Sequence, residues 1–299
     1  MRIEQLQHLL EGKEPKSVIL DTDTFNEVDD QYALAYAMRS PDRIRLLAVT
    51  VAPFYNKRSD SPADGMEKSY NEALRIRSLV DPASKIPVYR GSTVYMKPDK
   101  APVYSEAAEM IVRLVRESAE TVYIVAIGAI TNVASALQMA PDIADKAVLV
   151  WLGGHALHWK HNREFNLYQD VSAVQVVFDS AIPFLQIPCN GVCTEFLTTV
   201  PELEYYLRGK NELCDYLLDI TRGYNTRNLP AWSKVIWDVT AVAALACPET
   251  LDVVEIPRPI ITDSAHYAFD SARPHYFYTR RIRRDALYAD LFEKLARSK

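Results

Sequence analysis

The chain has 299 residues, 48% hydrophobic and 24% charged, with a formal net charge of −5. That is an ordinary balance for a soluble protein and gives no sign of a basic face for nucleic acid or an anionic membrane. Nine glycines are too few for a glycine-rich phosphate loop, and four cysteines in so long a chain argue against a disulfide framework and fit a reducing compartment.

Residues 1–16 are charged throughout and lack an apolar core, so the sequence predicts a short helix and a turn there rather than a signal peptide, and a cytoplasmic location. Ser17-Val18-Ile19-Leu20 then runs into Asp21-Thr22-Asp23-Thr24-Phe25-Asn26-Glu27-Val28-Asp29-Asp30, the pattern of a buried strand that delivers carboxylates to a cleft. Asp29 and Asp30 open an Ala/Leu/Met-rich helix to Arg39, where acidic side chains in the first turn suit the helix dipole. A capped helix accounts for Asp29. It does not account for Asp21, Asp23 and Asp30 crowding beside it, because like charges repel unless something positive lies among them. A hard cation held by oxygen is the simplest remedy.

Ser40-Pro41-Asp42 stops the helix, and Ile44–Val51 reads as a second buried strand. A polar loop, Lys57–Gly65, precedes a helix over Met66–Val80; Ile86–Tyr89 is a short strand and Ser105–Ser118 a helix. Val122–Ile127 is a strongly apolar strand ended by Gly128, with Thr131 or Asn132 as cap of a helix through Ala140. The whole apolar region, Val122–Leu137, is too short to span a bilayer. Ala147–Leu152 is another strand, followed by Gly153-Gly154 and a loop carrying His155, His158, Trp159 and His161 to Glu164-Phe165-Asn166.

Asp170 caps a helix to Phe178, and Pro183–Ile187 is again a strand. Cys189 and Cys193 have no second pair or nearby His to complete a zinc site, so they read as buried thiols. Helices follow at Glu202–Arg208 and Leu213–Gly223, Asp238 opens the Ala-rich helix Val239–Ala246, and strand-like pieces lead to a basic C-terminal helix.

Strands alternating with helices at this rhythm predict an α/β fold: one domain over residues 1–299, with a mainly parallel, Rossmann-like open sheet flanked by helices. In such a sheet the ligand sits outside the carboxyl ends of the strands. Asp21 and Asp23, Ala52 onward, Ile127-Gly128 and Gly153-Gly154 all fall on that edge, which is where an active site is expected.

Taken in order, several pieces resemble one known family, the nucleoside hydrolases of the inosine–uridine-preferring type. They are the strand-end Asp21-x-Asp23 with Asp29-Asp30, Ile86-Pro87-Val88-Tyr89-Arg90-Gly91, Gly128-x-x-Thr131-Asn132, Gly153-Gly154, Glu164-Phe165-Asn166, and Asp238 before an Ala-rich helix. The resemblance implies a Ca2+ ion held by Asp23, Asp30, Asp238 and the carbonyl oxygen of Ile127, a ligand set that suits calcium. It also implies a ribonucleoside as small-molecule substrate and hydrolysis of its N-glycosidic bond to ribose and free base, with Asp23 as general base toward water. Asp29 would grip ribose hydroxyls, Glu164 and Asn166 would bind the sugar from the opposite wall, and Asp21 would support the loop. A homo-oligomer, dimer or tetramer, is implied by the same analogy.

The acidic loop departs from the family's Asp-x-Asp-Pro-Gly-x-Asp-Asp: Thr24 to Val28 makes it two residues longer and removes Pro-Gly, so Asn26 or Glu27 gains access to the pocket. Trp237 stands where many members have a His that protonates the leaving base, and no His follows Arg90-Gly91 before Tyr104. His155, His158 and His161 are the substitutes by location. Trp237, Trp159, Phe54 and Tyr224 are candidates to stack on the base.

Two rival readings are weaker. A non-catalytic nucleoside- or ribose-binding protein on the same fold would leave a carboxylate cage retained without its ion. A haloacid-dehalogenase-type phosphatase would account for Asp21-Thr22-Asp23-Thr24 but not for Asp29-Asp30, Glu164-Phe165-Asn166 or Asp238.

Overall fold

In the computed structural model, which describes residues 6, 10–12 and 14–297, alternate side chains of the central strands enter two separate apolar cores. Val18 and Leu20 of β1 (Lys16–Thr22) face one core and Ile19 the other. Of the strands that follow β2 (Ile44–Val51) and β3 (Val88–Tyr89), β4 (Val122–Ala126) divides Tyr123 and Val125 from Ile124 and Ala126, and β5 (Ala147–Leu152) divides Val148 and Val150 from Leu149 and Trp151. A strand apolar on both faces must be covered on both, which is why these segments read as continuous apolar runs.

The remaining strands of the sheet are β6 (Phe184–Ile187), β9 (Leu251–Pro257) and β12 (His275–Ile282). Its order is β3-β2-β1-β4-β5-β6-β12-β9, with every neighbouring pair parallel except β12 and β9. Two antiparallel ribbons stand apart: β7 (Leu197–Thr199) with β8 (Ser233–Val235), and β10 (Ile260–Ile261) with β11 (Tyr267–Ala268).

Helices α1 (Asp29–Met38), α2 (Pro62–Val80), α7 (Val200–Leu207), α8 (Glu212–Tyr224), α9 (Val239–Ala246) and α10 (Arg284–Ala296) bury apolar residues in the first core. Helices α3 (Glu106–Glu117), α4 (Thr131–Met139), α5 (Phe165–Gln169) and α6 (Val171–Asp179) do so in the second. The expected single-domain α/β fold with a mainly parallel, helix-flanked sheet is what the chain adopts. Among the described residues no helix is long and apolar enough to cross a membrane, and all four cysteines are free and buried.

Two local expectations are corrected. The helix placed at Met66 begins at Pro62, because the Ser61 side chain accepts from the Asp64 N–H and Pro62 fits the first turn. Gly65 lies inside that helix and not in a loop: a Cβ there would sit 2.0 Å from the Phe54 carbonyl oxygen, so glycine is what lets the helix pack this closely. The β7–β8 ribbon lies in stretches to which the sequence assigns no element, its strands being too short to show a period. The helix expected within residues 1–16 lies largely outside the described residues.

The strand order turns back between β1 and β4. The carboxyl ends of these two neighbours carry Asp21–Asp23 and Ile127–Gly128, so the crevice of the sheet opens on the acidic loop.

Candidate active site

Beyond β1 the chain forms an irregular loop over residues 23–28, closed by a 2.7 Å hydrogen bond from the Asn26 N–H to the Asp23 carbonyl. Its carboxylates turn inward, Asp21 and Asp23 being fully buried and Asp29 and Asp30 2% and 1% exposed. Helix α9 packs on α1 and brings Asp238 to the same place from its N-cap position, with no helix N–H taking up the Asp238 side chain. One oxygen each of Asp29, Asp30 and Asp238 lie within 4.8 Å of one another. Asp23 is outside that group, but both its oxygens are buried with no hydrogen-bond partner.

Burial raises all of these carboxyls. Asp30 is pushed up to about 7 by burial and then by the charge of Asp29, against a 2.6 Å hydrogen bond from Thr22. Asp23 and Asp238 rise well above the usual range through burial and then through neighbouring carboxylates. Asp21 reaches only about 6, because Asn132 and Thr50 donate to its Oδ1 at 2.9 and 2.7 Å.

Thr131 and Asn132 therefore do not cap α4 as expected; their side chains are spent elsewhere. Thr131 donates to Asp170 at 2.5 Å. The Asn132 amide donates to Asp21 and to the Val51 carbonyl, and its oxygen accepts from the Ser92 N–H and hydroxyl, both at 2.9 Å. Gly91 and Gly128 are needed for close approach here. A Cβ on Gly91 would lie 1.7 Å from the Val51 oxygen, and one on Gly128 3.1 Å from the Asp23 carboxyl carbon.

The structure also reveals a cation that sequence reasoning missed. Lys234, on β8 and 6% exposed, donates to the Glu27 carboxylate and lies 3.5 Å from Asp29 Oδ1. Burial alone would lower the Lys234 pKa, but the Asp29 and Glu27 carboxylates outweigh it and the net shift is upward. Asp29 Oδ2 is held from the other side by the Trp237 N–H at 3.0 Å.

A cavity of about 380 Å³ opens over this cluster, lined by Glu27, Asp29, Ile127, Glu164, Asn166, Trp237 and Asp238 among others. Asp23 and Asp30 are not part of its lining. The Glu164 carboxylate accepts from the Gly154, Asn166 and Leu167 N–H groups at 2.8–2.9 Å, which fixes it at the start of α5. Asn166 donates to the carbonyls of Ile127 and Leu152, both at 3.0 Å.

Of the three loop histidines, His155 and His161 line the cavity and His158 does not; His158 is exposed and sits against Gly191. His155 is pushed down to about 4 by burial and then by the charge of His161, and both its ring nitrogens face Asn190. His161 accepts from the Arg163 N–H through Nδ1, and its Nε2 has no partner among the described residues. Of the aromatic candidates only Trp237 lines the cavity; Phe54 is fully buried and Trp159 is 40% exposed.

The residues present fit a bound cation. Asp23 keeps two buried oxygens that nothing else satisfies, three further carboxylates converge beside it, and all the donor atoms are hard oxygens.

A model of the family described as inosine-uridine preferring nucleoside hydrolase matches residues 18–273. The pyrimidine-specific ribonucleoside hydrolase RihA of Escherichia coli is 29% identical over 191 residues, a stretch covering 56% of this chain and 58% of that relative. The chain thus spans little more than half the length of the curated relatives it matches. Among solved structures, a plant nucleoside hydrolase, the PpNRh1 enzyme, superposes with a TM-score of 0.80 at 20% identity, covering 95% of this chain and all of the other. A purine-preferring ribonucleoside hydrolase from Gardnerella vaginalis gives 0.76 at 21% identity, covering 94% and 98%. At these identities the superpositions establish the fold.

Proposed function

Since the chain belongs to the inosine-uridine preferring nucleoside hydrolase family, we propose that it is a calcium-dependent ribonucleoside hydrolase, cleaving the N-glycosidic bond to give ribose and free base. The observation that carries this reading is Asp23, a fully buried carboxylate with neither oxygen hydrogen-bonded, beside three converging carboxylates under an open cavity. Asp23, Asp30, Asp238 and the Ile127 carbonyl are the ligands in this reading. When bound, calcium neutralises the carboxylates and acts as a Lewis acid toward water and hydroxyls.

The chain's own residues do the rest. Asp23 takes a proton from the attacking water as its oxygen bonds to the anomeric carbon and the bond to the base nitrogen breaks. Asp29, fixed between Lys234 and the Trp237 N–H, accepts from ribose hydroxyls. Glu164 and Asn166 are anchored to backbone and hold the sugar from the facing wall, so that binding energy is directed at an oxocarbenium-like transition state. Trp237 offers its ring to the base. His161 gives the departing base nitrogen a hydrogen bond from Nε2–H, being the cavity histidine with an uncommitted ring nitrogen, and the base takes its proton from solvent. His155 is neutral near pH 7 and committed to Asn190. The homo-oligomeric state belongs to the same reading and is read by sedimentation.

The test is a panel of inosine, uridine, adenosine, cytidine and p-nitrophenyl riboside, with and without added calcium. Calcium-dependent release of base or nitrophenol is expected. Calcium binding with no cleavage of any member would overturn the hydrolase reading in favour of a ribose-binding protein. Cleavage of the nitrophenyl compound alone would remove His161 from its role, because that leaving group needs no acid.

A further inference from the structure

Three carboxylates converge beside Asp23, yet the division of labour above gives Asp30 and Asp238 to the ion and Asp29 to the sugar. Distance does not make that division, since one oxygen of each of the three carboxylates lies within 4.8 Å of the others. The surroundings of Asp29 differ in one respect. Its Oδ1 faces the Lys234 ammonium at 3.5 Å and its Oδ2 accepts from the Trp237 N–H. Asp30 has a neutral hydroxyl, Thr22, as donor.

Lys234 owes its place to the β7–β8 ribbon, where pairing opposite Thr198 turns it inward between exposed Ser233 and half-buried Val235. Its second carboxylate partner, Glu27, comes from the part of the acidic loop where this sequence is two residues longer than the family pattern. The ammonium lies 5.5 Å from the Tyr224 ring centroid, which adds a further weak attraction.

We infer that Lys234, held by Glu27, is a positioning residue that reserves Asp29 for the substrate and weakens calcium binding by placing a fixed positive charge at the edge of the carboxylate cluster. This rests on the calcium-dependent reading. Glu27 and Lys234 act with opposite sign: the ammonium opposes a second cation, and the Glu27 carboxylate offsets that opposition.

The test is calorimetric titration of the metal-free protein with calcium, together with steady-state kinetics on p-nitrophenyl riboside. Lys234→Met is expected to bind calcium about tenfold more tightly or better, because a unit charge within a few ångströms of a buried site is worth at least that much. KM rises more than kcat falls, since Asp29 is drawn to the ion. Glu27→Gln is expected to bind calcium more weakly, and Lys234→Arg to restore wild-type affinity and KM. If Lys234→Met does not fold, Glu27→Gln still decides. Affinities within about twofold of wild type in every folded variant, or weaker binding by Lys234→Met, would overturn the inference. A wild-type protein that binds calcium but cleaves no riboside overturns the hydrolase reading while the affinities still judge Lys234. A wild-type protein that binds no calcium overturns both.

Discussion

Calcium is expected to raise the melting temperature of the metal-free protein by more at pH 7 than at pH 4.5. In the metal-free state Asp30 titrates at about 7, against 3.8 for the ordinary group. Between those values the native state binds more protons than the unfolded chain, so this stabilising contribution is complete below about pH 4 and lost as pH rises through 7. A shift of about three units at roughly 1.4 kcal/mol each amounts to about 4 kcal/mol across the window. A cation among the carboxylates does the work of the proton at high pH and is outcompeted by it at low pH. With an unfolding entropy of about 2.1 cal/mol/K per residue, 299 residues give roughly 0.6 kcal/mol/K, and 4 kcal/mol corresponds to about 6 °C. The quantity to compare is the calcium-induced increment at each pH, read by scanning calorimetry. His155, held neutral with a value near 4, adds stability that grows with pH from about 4 to 6.5, but it does so with and without calcium and drops out of the difference. An increment equal at both pH values, or larger at pH 4.5, would refute the claim that buried, proton-holding carboxylates form the cation site.

Asp23→Ala should reduce kcat for p-nitrophenyl riboside by at least ~10²–10⁴-fold, the usual worth of a general base, and Asp238→Ala should lower calcium occupancy after dialysis. Full activity in the first or full occupancy in the second removes that residue from the site. Asn132→Ala strips partners from Asp21, the Ser92 N–H and the Val51 carbonyl. At about 1–2 kcal/mol per buried group left unpaired, the melting temperature should fall by roughly 5–10 °C; a fall of under a degree would show that water replaces the amide.

The parts legible in the sequence were those with a local pattern. Val122–Ala126 and Ala147–Leu152 show as strands because both faces are buried, and Asp21–Asp30 shows as a site because its charges are adjacent in the chain. Asp238 was visible through the Ala-rich helix behind it. Lys234 was not, since a lone lysine in a three-residue strand carries no signal and its partner lies 207 positions away. Asn132 was read by its propensity as a cap, and the buried carboxylate across the sheet won its amide instead. Among the loop histidines, only the three-dimensional course of residues 153–164 separates His155 and His161 from His158.

The hydrogen bond from the Trp237 N–H to Asp29 joins residues 208 positions apart. Closing a loop of that length costs roughly 5 kcal/mol of chain entropy, and the cost falls due before any contact across it repays it. While the chain is being synthesised, the acidic loop emerges long before Lys234 or Asp238 exists to meet it. Its carboxylates have to stay hydrated until then, because an ionised group withdrawn from water without a partner is too costly to populate. The corner where ends and middle of the chain meet is thus completed late. Slow exchange of the α9 amides would then report closure of the whole molecule and not of that helix alone.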